Sequence, residues 1–417
     1  MMRVSLLVFS VCLANYAFAA EWSQYNGPGS DRISPESLKL TTWPKAGPKV
    51  LWESKVSDGH SSFAIGGGRA ATLITRDGQE TCLVLAARTG KELWAKSLTP
   101  AKYDGGGNAG AGNNKGGDGP RSTPAIYNGK IFVYSSQLQL ICFDAATGGE
   151  SWRVDVRKLH DGQSLKWQSA ASPVIDGDLV FVPGGGEGQS MLAFDKDSGK
   201  KVWAAGEDKM THATPIVAEI HGARQVIFFT QEGLVGLATK TGKELWRQNY
   251  QYKVSTAASP VVYEDIVYCS AGYGVGAGAC RISKDGDGFS SKMIWRKSGK
   301  LPNHWSTPIV KDGYLYGMFS FKEYGKGALK CVDIRTGEEM WAESGFGPGN
   351  VILSGNVVIA LSDAGELALV SAASDSYKQL ARAKVLSGKC WTTPVLSDGR
   401  IYARSTQEAI CVDVRGR

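Results

Sequence analysis

LATKTGKELW, Leu237–Trp246, closes a tight turn on a tryptophan, and this cadence recurs along the chain. It stands as LAARTGKELW (Leu85–Trp94), FDAATGGESW (Phe143–Trp152), FDKDSGKKVW (Phe194–Trp203) and VDIRTGEEMW (Val332–Trp341), and a weaker copy leads to Trp295. A second segment precedes each: STPAIYNGKIFVYS from Ser122, ASPVIDGDLVFVP from Ala171, STPIVKDGYLYGM from Ser306 and TTPVLSDGRIYAR from Thr392, with diverged copies at Ala213 and Ala258. Together they read as four strands. Strand a follows the Ser/Thr-Pro, and an Asp-Gly or Asn-Gly hairpin leads to strand b. Strand c runs to an aspartate, and a Thr-Gly turn leads to strand d with its tryptophan. The aspartate bonds turn amides, and the glycine takes positive φ without steric cost.

Trp52, Trp94, Trp152, Trp203, Trp246, Trp295 and Trp341 fall about 48 residues apart, the period of a four-stranded propeller blade. Strand a begins near Ser62, Ser122, Ser172, Thr214, Ser259, Thr307, Asn350 and Thr393, which makes eight blades. The seventh copy has lost its tryptophan, and the eighth, ending at Val414, lacks a fourth strand. Lys49-Val50-Leu51-Trp52-Glu53 supplies it from the other end of the chain. The expected fold is therefore all-β: an eight-bladed β-propeller of four-stranded antiparallel blades, closed by pairing an N-terminal strand with the C-terminal blade, which leaves no open array edge. Residues 49–417 form the ring, and residues 21–48 form an N-terminal extension draped on it.

Residues 1–20, MMRVSLLVFSVCLANYAFAA, read as a secretory signal: Arg3, an apolar run, then Ala17-Phe18-Ala19. Val11 stands where a lipobox before Cys12 requires a small residue, so the expected product is soluble, exported to the periplasm or beyond, with no transmembrane segment. A net charge of +7 with no block of like charges excludes a nucleic-acid footprint. The 52 glycines fit two recurring turns per blade. Seven cysteines remain after the signal. Cys142, Cys280 and Cys331 each precede a turn glycine by six residues, Cys411 holds the same place before Asp413, and Cys82 lies two residues earlier in its strand. A recurrent small apolar position on a middle strand is a packing site, so buried thiols are expected; a Cys269–Cys280 pair across one hairpin stays open.

The repeated Asp-x-x-Thr-Gly-x-x-x-Trp unit resembles the tryptophan-docking motif of PQQ-like (pyrroloquinoline-quinone) eight-bladed propellers. That family includes quinoprotein alcohol dehydrogenases and the BamB-type outer-membrane-assembly lipoprotein. WSQYNGPGSDRISPES (Trp22–Ser37), GPKVLWES, DGHSSFAI and GDGPRSTPAI are similar to secreted PQQ-like repeat proteins of planctomycetes and related bacteria. The likeness covers residues 22–417. It implies the fold firmly and the activity weakly. A BamB-like scaffold binding unidentified envelope proteins, as a monomer and without a cofactor, is the first expectation. The alternatives are a PQQ- and calcium-dependent dehydrogenase, or small-ligand or carbohydrate binding at the funnel. Against the dehydrogenase, the sequence has no adjacent cysteines, and the family's calcium ligands and catalytic aspartate have no matching positions.

Residues just before strand a look into one mouth of the channel. In register these are His60, Arg121, Gln168, His212, Thr256, His304 with Trp305, and Cys390 with Trp391; His160 and Trp167 precede blade three. Of five histidines only His221 belongs to the other face. The expected ligand-binding set at this mouth is His60, Arg121, His160, Trp167, His212, His304, Trp305 and Trp391, with aromatics for stacking and imidazoles for hydrogen bonding or proton transfer. No carboxylates accompany the histidines, so no metal is expected. The loops Gly184–Gln189, Gly272–Gly278 and Phe319–Gly327 should enlarge the mouth, with Lys322, Glu323, Tyr324 and Lys326 reaching toward a partner. Residues 104–119, with eight glycines, read as a loop or lid on the same face. They are not a phosphate loop, since Gly-Lys-Ser/Thr is absent.

Overall fold

A computed structural model describes residues 21–101, 119–165, 167–252 and 255–416; the signal segment and nearly all of the glycine-rich stretch lie outside these. Among the described residues the strands form eight antiparallel four-stranded sheets in chain order, the seventh with one added strand. Blade one holds Ala64–Gly66, Arg69–Arg76, Gln79–Ala86 and Glu92–Pro100. Blade eight holds Val395–Ser397, Arg400–Arg404 and Glu408–Asp413, completed by Lys49–Lys55. That closing strand pairs Lys49 with Asp413, Trp52 with Cys411 and Lys55 with Glu408.

The apolar core lies between blades rather than within one sheet. One cluster joins blades one and two through Val84, Trp94, Ile131 and Phe143. Others follow around the ring, and a single large cluster spans blades seven, eight and one. At the rim every blade-repeat indole but that of Trp246 reaches across this interface. Trp52, Trp94, Trp152 and Trp203 donate Nε1–H to the carbonyls of Ala87, Ala145, Lys196 and Thr239 in the next blade, at 2.8–3.1 Å. The same ring lies on the turn glycine beside that carbonyl. A Cβ on Gly242 would meet the Trp203 ring at 2.6 Å, and Gly90, Gly148 and Gly199 are as tightly covered. Hence the Thr-Gly glycine answers two demands, a positive φ and a flat seat for the neighbour's indole. Opposite each tryptophan on strand c stands a smaller residue: Val84, Cys142, Ala193, Gly236, Ala279, Cys331 or Cys411. In blade seven the sizes reverse, with Leu369 facing Ala381.

Near the channel a second belt runs. A Ser or Thr at the head of strand a, followed by proline except at Ser62, donates its N–H to the matching side chain of the next blade: Ser62 to Thr123, Thr123 to Ser172 and Ser172 to Thr214, each at 2.9 Å. Ser259 donates to Thr307, Thr307 to the Asn350 amide, and Thr393 back to Ser62. Proline holds the preceding residue extended, which points that N–H sideways.

Two expectations change. Blade five carries a longer outer hairpin, Gly276–Asp285 and Gly288–Lys297, so Ala279 and not Cys280 faces Trp295, and Cys280 is out of register with Cys142 and Cys331. With no standard turn to receive it, Trp246 donates instead to Gln225 in its own blade. The N-terminal extension is not merely draped. It crosses the face opposite the mouth: Trp22 bridges Ile65, Gln24 accepts from Ile175 N–H, Asn26 donates to Ser259, and Ile33–Ser34 adds a parallel strand to Asn350–Ser354. Buried Arg32 donates to Asn26, Asn350 and the carbonyls of Thr307 and Val351. All seven described cysteines are free and buried, Cys269 and Cys280 included, and burial pushes their thiols up, that of Cys280 to about 12.

The double duty of the turn glycine gives a prediction. Gly222→Ala, where φ is +74° and nothing crowds the new Cβ, should cost about 1–2 kcal/mol. Gly242→Ala, at φ +70° beneath Trp203, should cost about 3 kcal/mol or more, since the indole must also leave its seat. Urea unfolding of the two variants measures the difference; equal losses would refute the seating role.

Candidate functional site

Blade-to-blade connections and the loops between strands b and c meet on one face around a cavity of about 110 Å³. His60, Arg121, Trp167, His212, His304, Trp305 and Trp391 line it, as do Tyr25, Tyr273, Phe321, Lys322 and Tyr324. Seven of the eight residues expected at the mouth are thus brought together. His160 is not. It ends a single helical turn, Val156–Leu159, with Nδ1 2.9 Å from Gln189 Oε1 and its ring against Phe194. The Gly184–Gln189 loop folds back onto this connection and does not line the cavity, because Gly186 packs against the His160 and Asp161 carbonyls. His221 sits in the opposite-face turn of blade four, bonded to the Ile282 carbonyl. Gln168, Thr256 and Cys390 turn inward as support: Gln168 O receives His212 Nε2 at 2.7 Å, Thr256 Oγ1 bonds the carbonyls of Ser270 and His304, and Cys390 N–H donates to Asp363 O.

The aromatic rings form one continuous shelf. Trp305 stacks on Trp391 at 4.5 Å, and the Trp391 ring also meets His60 at 4.8 Å and Tyr324 at 6.1 Å. Phe321 joins Trp305, His304 and Tyr273. Tyr273 holds φ +55°, an uncommon conformation for a bulky residue. Lys389 Nζ lies 4.3 Å over Trp391, and Lys322 Nζ lies 5.0 Å over Phe321, both in cation–π range. Tyr25, carried in by the N-terminal extension, closes the inner end beneath Arg32. Sequence reasoning missed Tyr25, Tyr273, Phe321, Lys389 and the buried Arg404. The first four lie outside the repeat register. Arg404 does occupy a strand, and its guanidinium binds Thr72 Oγ1 and the carbonyls of Leu73 and Ser57.

The imidazoles are held neutral. Burial, with Arg121 nearby, pushes His212 down to about 3. Its Nε2–H donates to Gln168 O while Nδ1 faces Ser255 Oγ at 2.7 Å. Burial likewise pushes His304 to about 3, and its Nδ1 accepts from Gly272 N–H at 3.3 Å. His60 is also driven well below its usual range by burial and by Arg121, Arg404 and Lys389. Neither of its ring nitrogens has a hydrogen-bond partner among the described residues. Such groups are poor proton carriers at neutral pH, since general acid–base work wants a pKa near the working pH. No carboxylate of the described residues lines the cavity. What the arrangement offers is an aromatic surface, flanking cations and fixed acceptors.

Comparison with known proteins agrees with this architecture. The family described as outer membrane protein assembly factor BamB matches residues 78–343. The outer membrane protein assembly factor BamB of Shewanella oneidensis is 25% identical over 239 residues, 53% of this chain and 56% of that protein. The chain thus spans little more than half the length of that curated relative. The crystal structure of BamB from Moraxella catarrhalis aligns with a TM-score of 0.59 at 18% identity, covering 88% of this chain and 98% of that one. The quinohemoprotein alcohol dehydrogenase of Comamonas testosteroni aligns with a TM-score of 0.66 at 14% identity, covering 97% and 82%. At these identities the two solved structures speak for the fold alone.

The neutral imidazoles predict an acid-sensitive ring. Once unfolded, each takes a proton below about pH 6.5. The unfolded state then binds more protons, so stability falls as pH drops from about 6.5 toward 3, by at most about 1.4 kcal/mol per pH unit for each imidazole. The urea midpoint should be lower at pH 4.5 than at pH 7.5, and His212→Asn should flatten that slope. An unchanged slope would show that His212 is protonated in the fold.

Proposed function

We propose a function from one premise: this chain belongs to the outer membrane protein assembly factor BamB family, whose match runs from the third strand of blade one to the last strand of blade six. The protein is a non-enzymatic binding scaffold, exported to the cell envelope by residues 1–20, and its loop-rich mouth is the face that meets a partner protein. One observation carries this reading above all. The mouth is filled by its own aromatic shelf, which leaves about 110 Å³, below the roughly 300–1,000 Å³ usual for ligand pockets. Aromatic residues are what the centre of a protein–protein interface selects, with charged groups left to its rim. No helix among the described residues is long and apolar enough to cross a membrane.

A calcium-bound quinone fits these residues poorly. Calcium takes oxygen ligands, carboxylates above all, and the described residues of the mouth lining offer no carboxylate. Neighbouring cysteines are also absent from the sequence. The likeness to a quinohemoprotein dehydrogenase therefore contributes a scaffold and no reaction step.

Affinity capture from a cross-linked envelope fraction tests the scaffold. Wild-type protein should retain a discrete partner, and the Tyr324→Ala/Trp391→Ala double variant, checked for folding by circular dichroism, should recover at least about tenfold less, as loss of interface hot spots does. Equal recovery would remove the mouth from the interface. Quinone absorbance and dye-coupled alcohol oxidation after adding PQQ and Ca²⁺ would replace the scaffold with an oxidoreductase.

A further inference from the structure

Blades five and six meet at the rim through Trp295, which donates Nε1–H to the Ile334 carbonyl at 2.7 Å, but beside that contact the two blades stand apart. Between the end of blade five's outer strand and blade six runs an open groove of about 890 Å³. Its floor is apolar, made by Leu301, Pro302, Phe319 and Ala328, with Leu301 and Phe319 buried. Its walls carry Lys297, Lys300, Lys322, Lys326 and Lys330 against only Glu323 and Glu339. Glu339 is already paired with Lys330 at 2.6 Å. Lys297 donates to the Gly337 carbonyl, and Lys322 leans over Tyr273 and Phe321. None of Lys297, Lys300, Lys322 and Lys326 forms a salt bridge among the described residues. The inner end opens onto the mouth, because Lys322 and Tyr324 line both spaces.

We propose that this groove between blades five and six receives an extended acidic segment of the partner protein, its carboxylates on the lysine walls and its apolar side chains on the Leu301–Phe319 floor, with one end directed into the mouth. The inference rests on the scaffold reading and adds the chemistry of what is bound. Several features select a peptide. The trough is concave with an apolar floor, so an extended strand, whose side chains alternate between faces, can send acidic groups to the walls and apolar ones down. A flat lipid surface cannot enter it. A nucleic acid would want basic charge along a broad face, and the chain lacks a block of like charges. An acidic occupant would give ion-pair partners to wall lysines that have no salt bridge among the described residues.

The test uses the full mature chain and a fluorescein-labelled ten-residue peptide alternating Asp/Glu with Leu/Phe, followed by fluorescence anisotropy. A Lys-for-acid version of the peptide and phosphatidylglycerol vesicles serve as the other probes. The acidic peptide should bind, weaken with added salt, and bind at least about tenfold more weakly to Lys300→Glu/Lys326→Glu. It should bind unchanged to Lys240→Glu/Lys243→Glu, which makes the same change in net charge on exposed turn residues of blade four. Equal loss in both double variants, equal binding of the basic peptide, or groove-dependent binding of vesicles alone overturns the proposal. If envelope capture by wild type and by Lys300→Glu/Lys326→Glu is equal, the groove inference fails while the scaffold stands. Failure of wild-type capture is instead the failure of the scaffold reading.

Discussion

An indole N–H that crosses from one blade to the turn carbonyl of the next is the contact on which the ring depends. A single such bond contributes about 1 kcal/mol net, but each also places a large apolar ring over a glycine that has no Cβ to resist it. The belt of Ser/Thr side chains does the same work near the channel, where blades are closest. Rim and channel contacts together fix each blade's angle to its neighbour, and the apolar clusters fill the wedge between them. Where the rim contact is missing, something else takes its place. Blade seven has Ala381 at the tryptophan position, and the N-terminal extension packs Leu38, Leu40 and Trp43 against the cluster that spans blades seven, eight and one.

How much of this the sequence exposes follows from how local each feature is. A turn glycine, its aspartate and the tryptophan beyond lie within ten residues, so the blades and the closing strand from Lys49 can be read directly. The Ser/Thr-Pro pairs can be read as strand starts, yet their role as a belt cannot, because each bonds to a residue one blade away. The path of the extension is less legible still. Asn26 meets Ser259 at a separation of 233 residues, and Arg32 meets Asn350 at 318, and no period announces either. Cys280 misleads for the opposite reason: its spacing to a glycine copies the repeat, but the longer hairpin of blade five moves that glycine to a different turn.

The mouth shows the same division. Residues immediately before strand a share a register, so His60, His212, His304, Trp305 and Trp391 can be collected from spacing alone. His160 shares the connection but not the register, and a helical turn carries it to Gln189. Tyr273 and Phe321 come from loops whose lengths obey no repeat. Nor does the sequence disclose that the histidines are deeply desolvated, which changes them from titrating groups into fixed acceptors. That change moves the reading of the face away from proton chemistry and toward contact.

The central claim is that the aromatic mouth, and not the face crossed by the N-terminal extension, meets the partner. Hydrogen–deuterium exchange of the chain, alone and with the partner captured from an envelope fraction, tests it most directly. The account predicts slowed exchange in 319–327 and 387–392, which carry Phe321, Tyr324 and Trp391, with the turns on the opposite face around His221 and Gly313 unchanged. Slowed exchange confined to those opposite turns, with the mouth unaffected, would contradict it.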